Sequence, residues 1–277
     1  MRNTWAVCKR EFKSFFLTPI GYVVVGMVAL IAGLSFAVSF IFHAEITQNP
    51  TMYAYTSLPD FEETFLSPYL VFCGMLIMFL TPLITMRLLA EERHRGTIEF
   101  LLTQPLRDRE IIFGKFLAAL GVLGVMMLCI GVNLCVMGYF VDGVEPPVLV
   151  FGLLTVFLMG AACISLGLFV SSITKTQITS GTITFGVTLI LFILGNLGED
   201  MPENSPAPES WPAALRTGIA FFYRILRGLV MELPIDAHAR EMALGVVQPV
   251  DIAYYVLFSA FFLFLTFRAL ESRNWRG

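Results

Sequence analysis

Charge is what this chain most lacks: Asp, Glu, Lys and Arg make up 14% of its 277 residues, against 57% hydrophobic ones. With a mean hydropathy of +0.77, a soluble domain built around one core is a poor account of it. The formal net charge of -3 leaves no basic surplus, so nothing argues for a nucleic-acid partner. Cysteine is scarce and badly placed for cross-linking. Cys73, Cys129, Cys135 and Cys163 fall within apolar runs, Cys8 lies near the start, and no Cys-x-x-Cys pair occurs, which argues against disulfides and structural zinc. Also missing are a Gly-x-x-x-x-Gly-Lys-Ser/Thr phosphate loop, an HExxH pair and a nucleophile elbow. The chain is therefore not expected to be an enzyme, to hydrolyse ATP, or to hold a cofactor or metal of its own.

What is present is a set of six long apolar runs, 20–42, 69–89, 116–140, 148–173, 178–197 and 252–267. Each is near the length needed to cross roughly 30 Å of hydrocarbon, so the expected fold is an all-α integral membrane domain over 1–277 with six transmembrane helices. The charges alternate by loop. Arg2, Lys9, Arg10 and Lys13 precede the first run; Arg87, Arg93, Arg95, Arg107, Arg109 and Lys115 lie between the second and third; Lys175 follows the fourth; Arg268, Arg273 and Arg276 close the chain. The intervening loops hold Glu45, Asp60, Glu62, Glu63, Asp142 and Glu145 instead. The positive-inside rule then places both termini in the cytoplasm. The first run follows basic residues, as in a secretory signal, but it has the length of a full span and no small-x-small cleavage pattern follows, so it is expected to stay as an anchor.

No Asp, Glu, Lys, Arg or His falls in the interior of the six runs, which disfavours an ion-coupled carrier. The same absence, with no nucleophile and base paired in the spans, disfavours an intramembrane enzyme. Asn133, Thr155, Ser165, Thr184 and Thr188 are neutral polar groups that either line a path or hydrogen-bond between helices. Residues 1–19 read as an interfacial elbow helix, with Trp5, Cys8, Phe12, Phe15 and Phe16 on one side and Lys9, Arg10 and Lys13 on another, and Pro19 to turn the chain into the bilayer. Ala29, Gly33 and Ala37 recur every four residues, and Thr182 and Gly186 make a similar notch, as do Ala161 and Ser165; such stripes serve packing within the chain or across a dimer. His43 has no visible ligand partners and reads as a solvated interface residue. Thr81-Pro82 predicts a kink, either static or able to pass motion to the adjoining loop.

The loops after the third and fourth runs are so short that their flanking helices must be antiparallel neighbours. The loop over 198–251 is the longest. It begins with Pro202, Pro206, Pro208 and Pro212, then reads as a helix over 213–231 in which Arg216, Arg224 and Arg227 interrupt the apolar residues. An interfacial or partly re-entrant outer-side helix is expected there rather than a seventh span. Asp236, His238 and Glu241 read as a solvated acidic patch, and Asp251 as a carboxylate satisfying the first turn of the last span.

The stretch that organises the rest is 91–105, a charged segment between the second and third runs. Gly96 relaxes the backbone, the Thr97 hydroxyl can cap free N–H groups, and Glu99 lies near the positive end of a new dipole. Ile98, Leu101 and Leu102 follow at helical spacing, and Pro105 closes a short amphipathic helix. The run Glu91-x-x-x-x-Gly96-Thr97-x-Glu99-x-Leu101-Leu102-Thr103-x-Pro105, with Ile111-Ile112-x-Gly114-Lys115 after it, resembles the cytoplasmic signature of ABC-2 type permeases. The end of the chain, from Leu263 to Arg273, resembles the gliding-motility-type branch of that family.

The resemblance implies a permease subunit in the bacterial cytoplasmic (inner) membrane, exporting or extruding a substrate. A separate ABC ATP-binding subunit, expected in two copies and carrying the ATP and Mg, would dock on 91–105 as a coupling helix. It also implies a second permease copy or paralogue, and an auxiliary outer-side subunit. The roles expected on this basis are Glu91, Glu92, Arg93 and Arg95 as polar contacts, Gly96 and Thr97 as bend and cap, and Glu99 with Leu101 as the docking helix. The alternative is an ATP-driven mechanotransmitting scaffold that acts on an outer-side partner without moving a substrate.

Overall fold

In the computed structural model, which describes residues 2–49, 60–94, 96, 107–140, 146–199, 201–202, 213–236, 238–239 and 248–272, every regular element is helical. That follows from the solvent. Inside hydrocarbon a backbone amide has no water to turn to, so it must be satisfied within its own helix. In chain order the elements are α1 (Arg2–Leu17), α2 (Pro19–Gln48), a π-helical turn (Glu62–Leu66), α3 (Ser67–Thr85), α4 (Ala90–His94), α5 (Asp108–Phe140), α6 (Pro146–Ile173), α7 (Gln177–Glu199), α8 (Ala213–Glu232) and α9 (Pro249–Glu271). Among the described residues six stretches are long and apolar enough to cross a membrane, coinciding with α2, π-turn to α4, α5, α6, α7 and α9. Proline stands in the first turn of α2, α3 and α9, where its missing N–H costs nothing. The helices outrun the apolar stretches. The 33 residues of α5 make about 50 Å of helix, well beyond the hydrocarbon thickness.

The centre of the bundle is α6. It packs against α3, α5, α7 and, most extensively, α9, while α2 lies outside against α3 and α5. Lipid tails are as apolar as leucine, so close van der Waals fit must hold such helices together. Glycines supply the fit. A Cβ at Gly160 would lie 2.8 Å from both methyls of Leu123 and 3.1 Å from Ile77, and one at Gly152 or Gly167 would overlap the side chains of Leu70 or Thr85. Those three glycines sit seven to eight residues apart on α6, so α3 and α5 can come within backbone reach along its length. On the outside, α2 presents Tyr22, Leu30, Leu34, Val38 and Ile41, each more than 60% exposed, as lipid-facing hydrocarbon.

Of the neutral polar residues in the spans, most turn back on their own helix. The hydroxyls of Thr155, Thr184 and Thr188 donate to the carbonyls of Phe151, Ser180 and Thr184, and that of Ser165 to Ala162. Asn133 alone among the five bridges helices, its amide donating to the Tyr69 hydroxyl at 2.9 Å.

Two solvated readings are corrected at the end away from α1. His43 is half-buried, its Nδ1 2.8 Å from the Thr64 hydroxyl and its ring edge-on to Phe61, because α2 runs on past the apolar stretch to meet the π-turn. The segment around Asp236 and His238 is tucked in as well. Ile235 and Ala239 are buried among Met159, Cys163, Leu191 and Tyr255. Tyr254 and Tyr255 donate to the carbonyls of Leu233 and Ile235, and His238 Nδ1 lies 2.8 Å from Asp251. The Asp251 carboxylate therefore holds a loop imidazole as well as facing the positive end of α9. Glu241 lies outside the described residues. α8, of 20 residues, is not one of the spanning stretches; it packs on α7, where a Cβ at Gly198 would lie 3.1 Å from the Val230 carbonyl.

The glycine contacts make a prediction. Gly167→Val places branched carbon against Thr85, and overpacking of this kind costs about 1–3 kcal/mol or more. Gly124→Val, where a Cβ meets nothing within 4 Å, costs little. Thermal unfolding in detergent should show a clear drop for the first and a near-native midpoint for the second.

Candidate functional site

The charged end of the bundle is built on a break in a helix. Pro82 is buried in α3 and has no N–H to give; around it the Thr81 and Thr85 hydroxyls donate to the carbonyls of Ile77 and Thr81 at 2.7 and 3.1 Å. α3 stops at Thr85, the chain turns over 86–89, and α4 restarts at Ala90. A restarting helix has unpaired N–H groups, and a neighbour pairs them. The buried Ser171 hydroxyl, from the last turn of α6, accepts from both Leu89 N–H at 3.0 Å and Ala90 N–H at 2.9 Å. Gly96 follows at φ +68, a left-handed conformation that side-chain-bearing residues rarely adopt, with its N–H on the Arg93 carbonyl at 3.2 Å.

Each charged residue of α4 and its approach is tied to a different part of the chain. Arg87 Nε is 2.9 Å from Glu91, and its Nη1 donates to the Thr18 hydroxyl at 2.7 Å, at the joint between α1 and α2. Arg93 donates to the Thr174 carbonyl at 2.9 Å and also to that of Ser172, capping the carbonyl end of α6 where a cation is favoured by the helix dipole. Glu92 lies 2.9 Å from Lys115 Nζ on α5 and 3.6 Å from Arg10 on α1.

Lys115 is the centre of this network. It is 1% exposed, and its ammonium lies between Glu92 on α4 and Glu11 on α1, the latter at 3.3 Å. Arg10 pairs with the same Glu11 at 2.8 Å. Burial pushes the Glu11 carboxyl up, but Lys115 and Arg10 together outweigh it and hold the group below its ordinary value. The helices meet closely enough for this because Gly114 and Gly121 leave room for α1: a Cβ at Gly114 would lie 2.7 Å from Val7, and one at Gly121 3.0 Å from Phe12. α1 thus lies along the inner turns of α5 with Val7, Cys8 and Phe15 buried.

The sequence-predicted site residues fall into three groups. Glu91, Glu92 and Arg93 are brought together with Gly96, and their charges are directed at Arg87 in the preceding turn, at α1 and α5, and at the end of α6. Arg95, Thr97, Glu99 and Leu101 lie outside the described residues. Ala29, Ala37 and Thr182 are exposed, and a Cβ at Gly33 or Gly186 would meet nothing within 4 Å, whereas Ala161 and Ser165 are buried inside the chain. The network adds residues that reasoning from the sequence missed. Lys115 looked like a loop cation because the apolar run begins at 116; α5 begins at Asp108 and carries it inward. Its place directly after Gly114 in the quoted motif was the available signal. Nothing marked Glu11 or Ser171. Among the described residues no group of three or more His, Cys, Asp or Glu is placed to hold a metal ion.

Six spanning stretches among the described residues, with a short charged helix at the end of the second braced by α1, α5 and α6, define a multi-pass membrane protein. Among the described residues the most extensively built polar feature is the ionic network that joins α4 to α1 and α5 around Lys115. The family model for the ABC-2 family transporter protein matches residues 5–230, and the chain belongs to that family, as a permease subunit of an ABC transporter. Members of it are membrane transport subunits, not themselves catalytic, that work with an ABC ATP-binding subunit. No curated protein matches the chain.

Two outcomes follow from the network. Lys115→Met leaves Glu11 and Glu92 with only the more exposed Arg10 between them, a loss on the order of 3 kcal/mol, and should expose the buried Cys8 thiol to maleimide at neutral pH as α1 loosens. The depressed Glu11 carboxyl sets the sign of the pH effect. Unfolded Glu11 takes up its proton first as pH falls, so its contribution is fully present above the ordinary carboxylate value and is lost on descending towards the lower folded value. The thermal midpoint should fall across that acid window, and less steeply in Glu11→Gln.

Proposed function

We propose that the chain exports or extrudes a substrate, driven by a separate ATP-binding subunit that docks on 91–105. The observation that carries this reading is the bracing of α4. A docking element must pass force, and this one is fastened at once to α1, α5 and the end of α6 by Lys115, Arg93 and Ser171. Nucleotide drives the change only through a difference in affinity between two conformations, and the docking segment must differ between them. In this reading α1 is the elbow helix, both termini and 91–105 face the cytoplasm of a bacterial inner membrane, and ATP and Mg belong to the partner. Two ATP-binding subunits and two permease chains assemble, and the unused stripes at Ala29, Gly33 and Ala37 and at Thr182 and Gly186 are where a second copy or paralogue fits. An auxiliary outer-side subunit and membership of the gliding-motility-type branch belong to the same proposal.

The scaffold alternative draws support from α8. Its Phe221 and Phe222 are 65% and 66% exposed at the end away from α1, a surface available to an outer-side protein. Vesicles holding the complex separate the two readings, since a scaffold moves no lipid, polymer or peptide on addition of ATP.

Docking itself is tested by co-purification with the ATP-binding protein encoded nearest to the chain. The native chain should retain an active ATPase; Gly96→Pro and Glu99→Arg should lose it. Retention by both variants would place the docking surface elsewhere.

A further inference from the structure

Arg107 and Arg109 stand at the start of α5 and Arg268 near the end of α9, and between them the helices leave an open cleft of about 810 Å³. Arg268 shares its guanidinium with Glu271 at 3.0 Å. Among the described residues, neither Arg107 nor Arg109 lies within ion-pairing distance of a carboxylate. Asp108 also borders the cleft, giving three cations to two anions in its lining, while the nearby Glu110 carboxylate is taken up by the Arg107 backbone N–H at 3.1 Å and the Asn3 amide at 3.3 Å.

The polarity of the cleft changes along its length. Phe113 and Phe267 form its floor with ring centroids 5.6 Å apart, and Phe264 lies one helical turn further along the apolar part of α9 than Arg268. Phe113 and Phe264 remain 43% and 57% exposed. A molecule that fills this space carries an anion at one end and hydrocarbon at the other. A free phosphate satisfies the arginines and leaves the rings bare; a neutral lipid does the reverse.

We propose that the cleft is a binding site for one anionic phospholipid, with its phosphodiester on Arg107, Arg109 and Arg268 and an acyl chain over Phe264 and Phe113. Guanidinium groups suit this role because their planar fork donates to two phosphate oxygens at once. Assignment to the inner leaflet rests on the orientation proposed above; the site itself does not. The bound lipid would wedge the first turn of α5, where the docking segment ends, against α9 and so against the central helix.

The test uses the full chain, delipidated in detergent and examined by native mass spectrometry with phosphatidylglycerol, phosphatidylcholine or glycerol phosphate. Phosphatidylglycerol should be retained in one copy per chain, about tenfold in preference to phosphatidylcholine, and glycerol phosphate should not be held. An arginine near an anionic lipid surface contributes about fivefold, so Arg107→Gln with Arg109→Gln should abolish the preference. Glu271→Gln removes a competing carboxylate and should strengthen it, which keeps the test decisive if the arginine variants fold poorly. Equal retention of the two lipids, a preference unchanged in these variants, or glycerol phosphate held as firmly as the lipid would overturn the proposal. Retention of the ATP-binding subunit by the same variants reports separately on docking.

Discussion

The closeness of α6 to α3 is the constraint from which the charged end follows. Gly167 leaves no room for a methyl group beside Thr85, so the two backbones meet in the last turn of α3. Ser171, one turn further on, is thereby carried under the break in the second span, and its single oxygen receives the two N–H groups that the break exposes. The same closeness brings the end of α6 within reach of Arg93. Were α6 held away by one carbon, α4 would start with unsatisfied donors at the edge of the hydrocarbon, where each costs on the order of kilocalories. A contact between uncharged residues thus determines where the charged ones can go.

The second half of the joint obeys the opposite economy. Lys115 is buried, and a lone buried ammonium is costly enough that it would normally shed its proton. Two carboxylates from two different helices remove that cost, and Arg10 supplies a second cation so that Glu11 and Glu92 do not repel unopposed. A compact ammonium with rotatable donors suits a point between two acids better than a planar guanidinium does. Such networks contribute little net stability compared with an apolar core, but they penalise misplacement of any one member. That is the property a joint needs.

The spans were legible because membrane helices declare themselves by composition: a run of some twenty apolar residues has few other uses. The signature around Gly96 was legible for a different reason, since a left-handed glycine after a charged helix is a local device that its own residues encode. Lys115, Glu11 and Ser171 were not legible. Each acts across the bundle on a partner far away in sequence, and no periodicity reveals which helix faces which. His43 and His238 were misread in the same way: an isolated histidine reveals nothing of the threonine or aspartate that another element brings to it. The apolar runs also ended too early, because polar residues that begin or finish a helix look like loop when only hydropathy is read.

The distribution of charge then has a physical explanation. Among the described residues, ion pairs lie along α1, within the first turns of α5, and at helix ends and the segments that join them, and most polar groups within the spans return to their own carbonyls. Water is close enough at a helix end to soften the cost of burying an ion, and far enough away that ion pairs are not screened to nothing. A rigid ionic joint is therefore affordable only at the membrane surface, which is also the only place a soluble partner can reach. Deeper in the bundle the polar groups need no comparable network; close-packed glycines bring α6 against α3 and α5, and helices that fit this tightly move as bodies more readily than they deform.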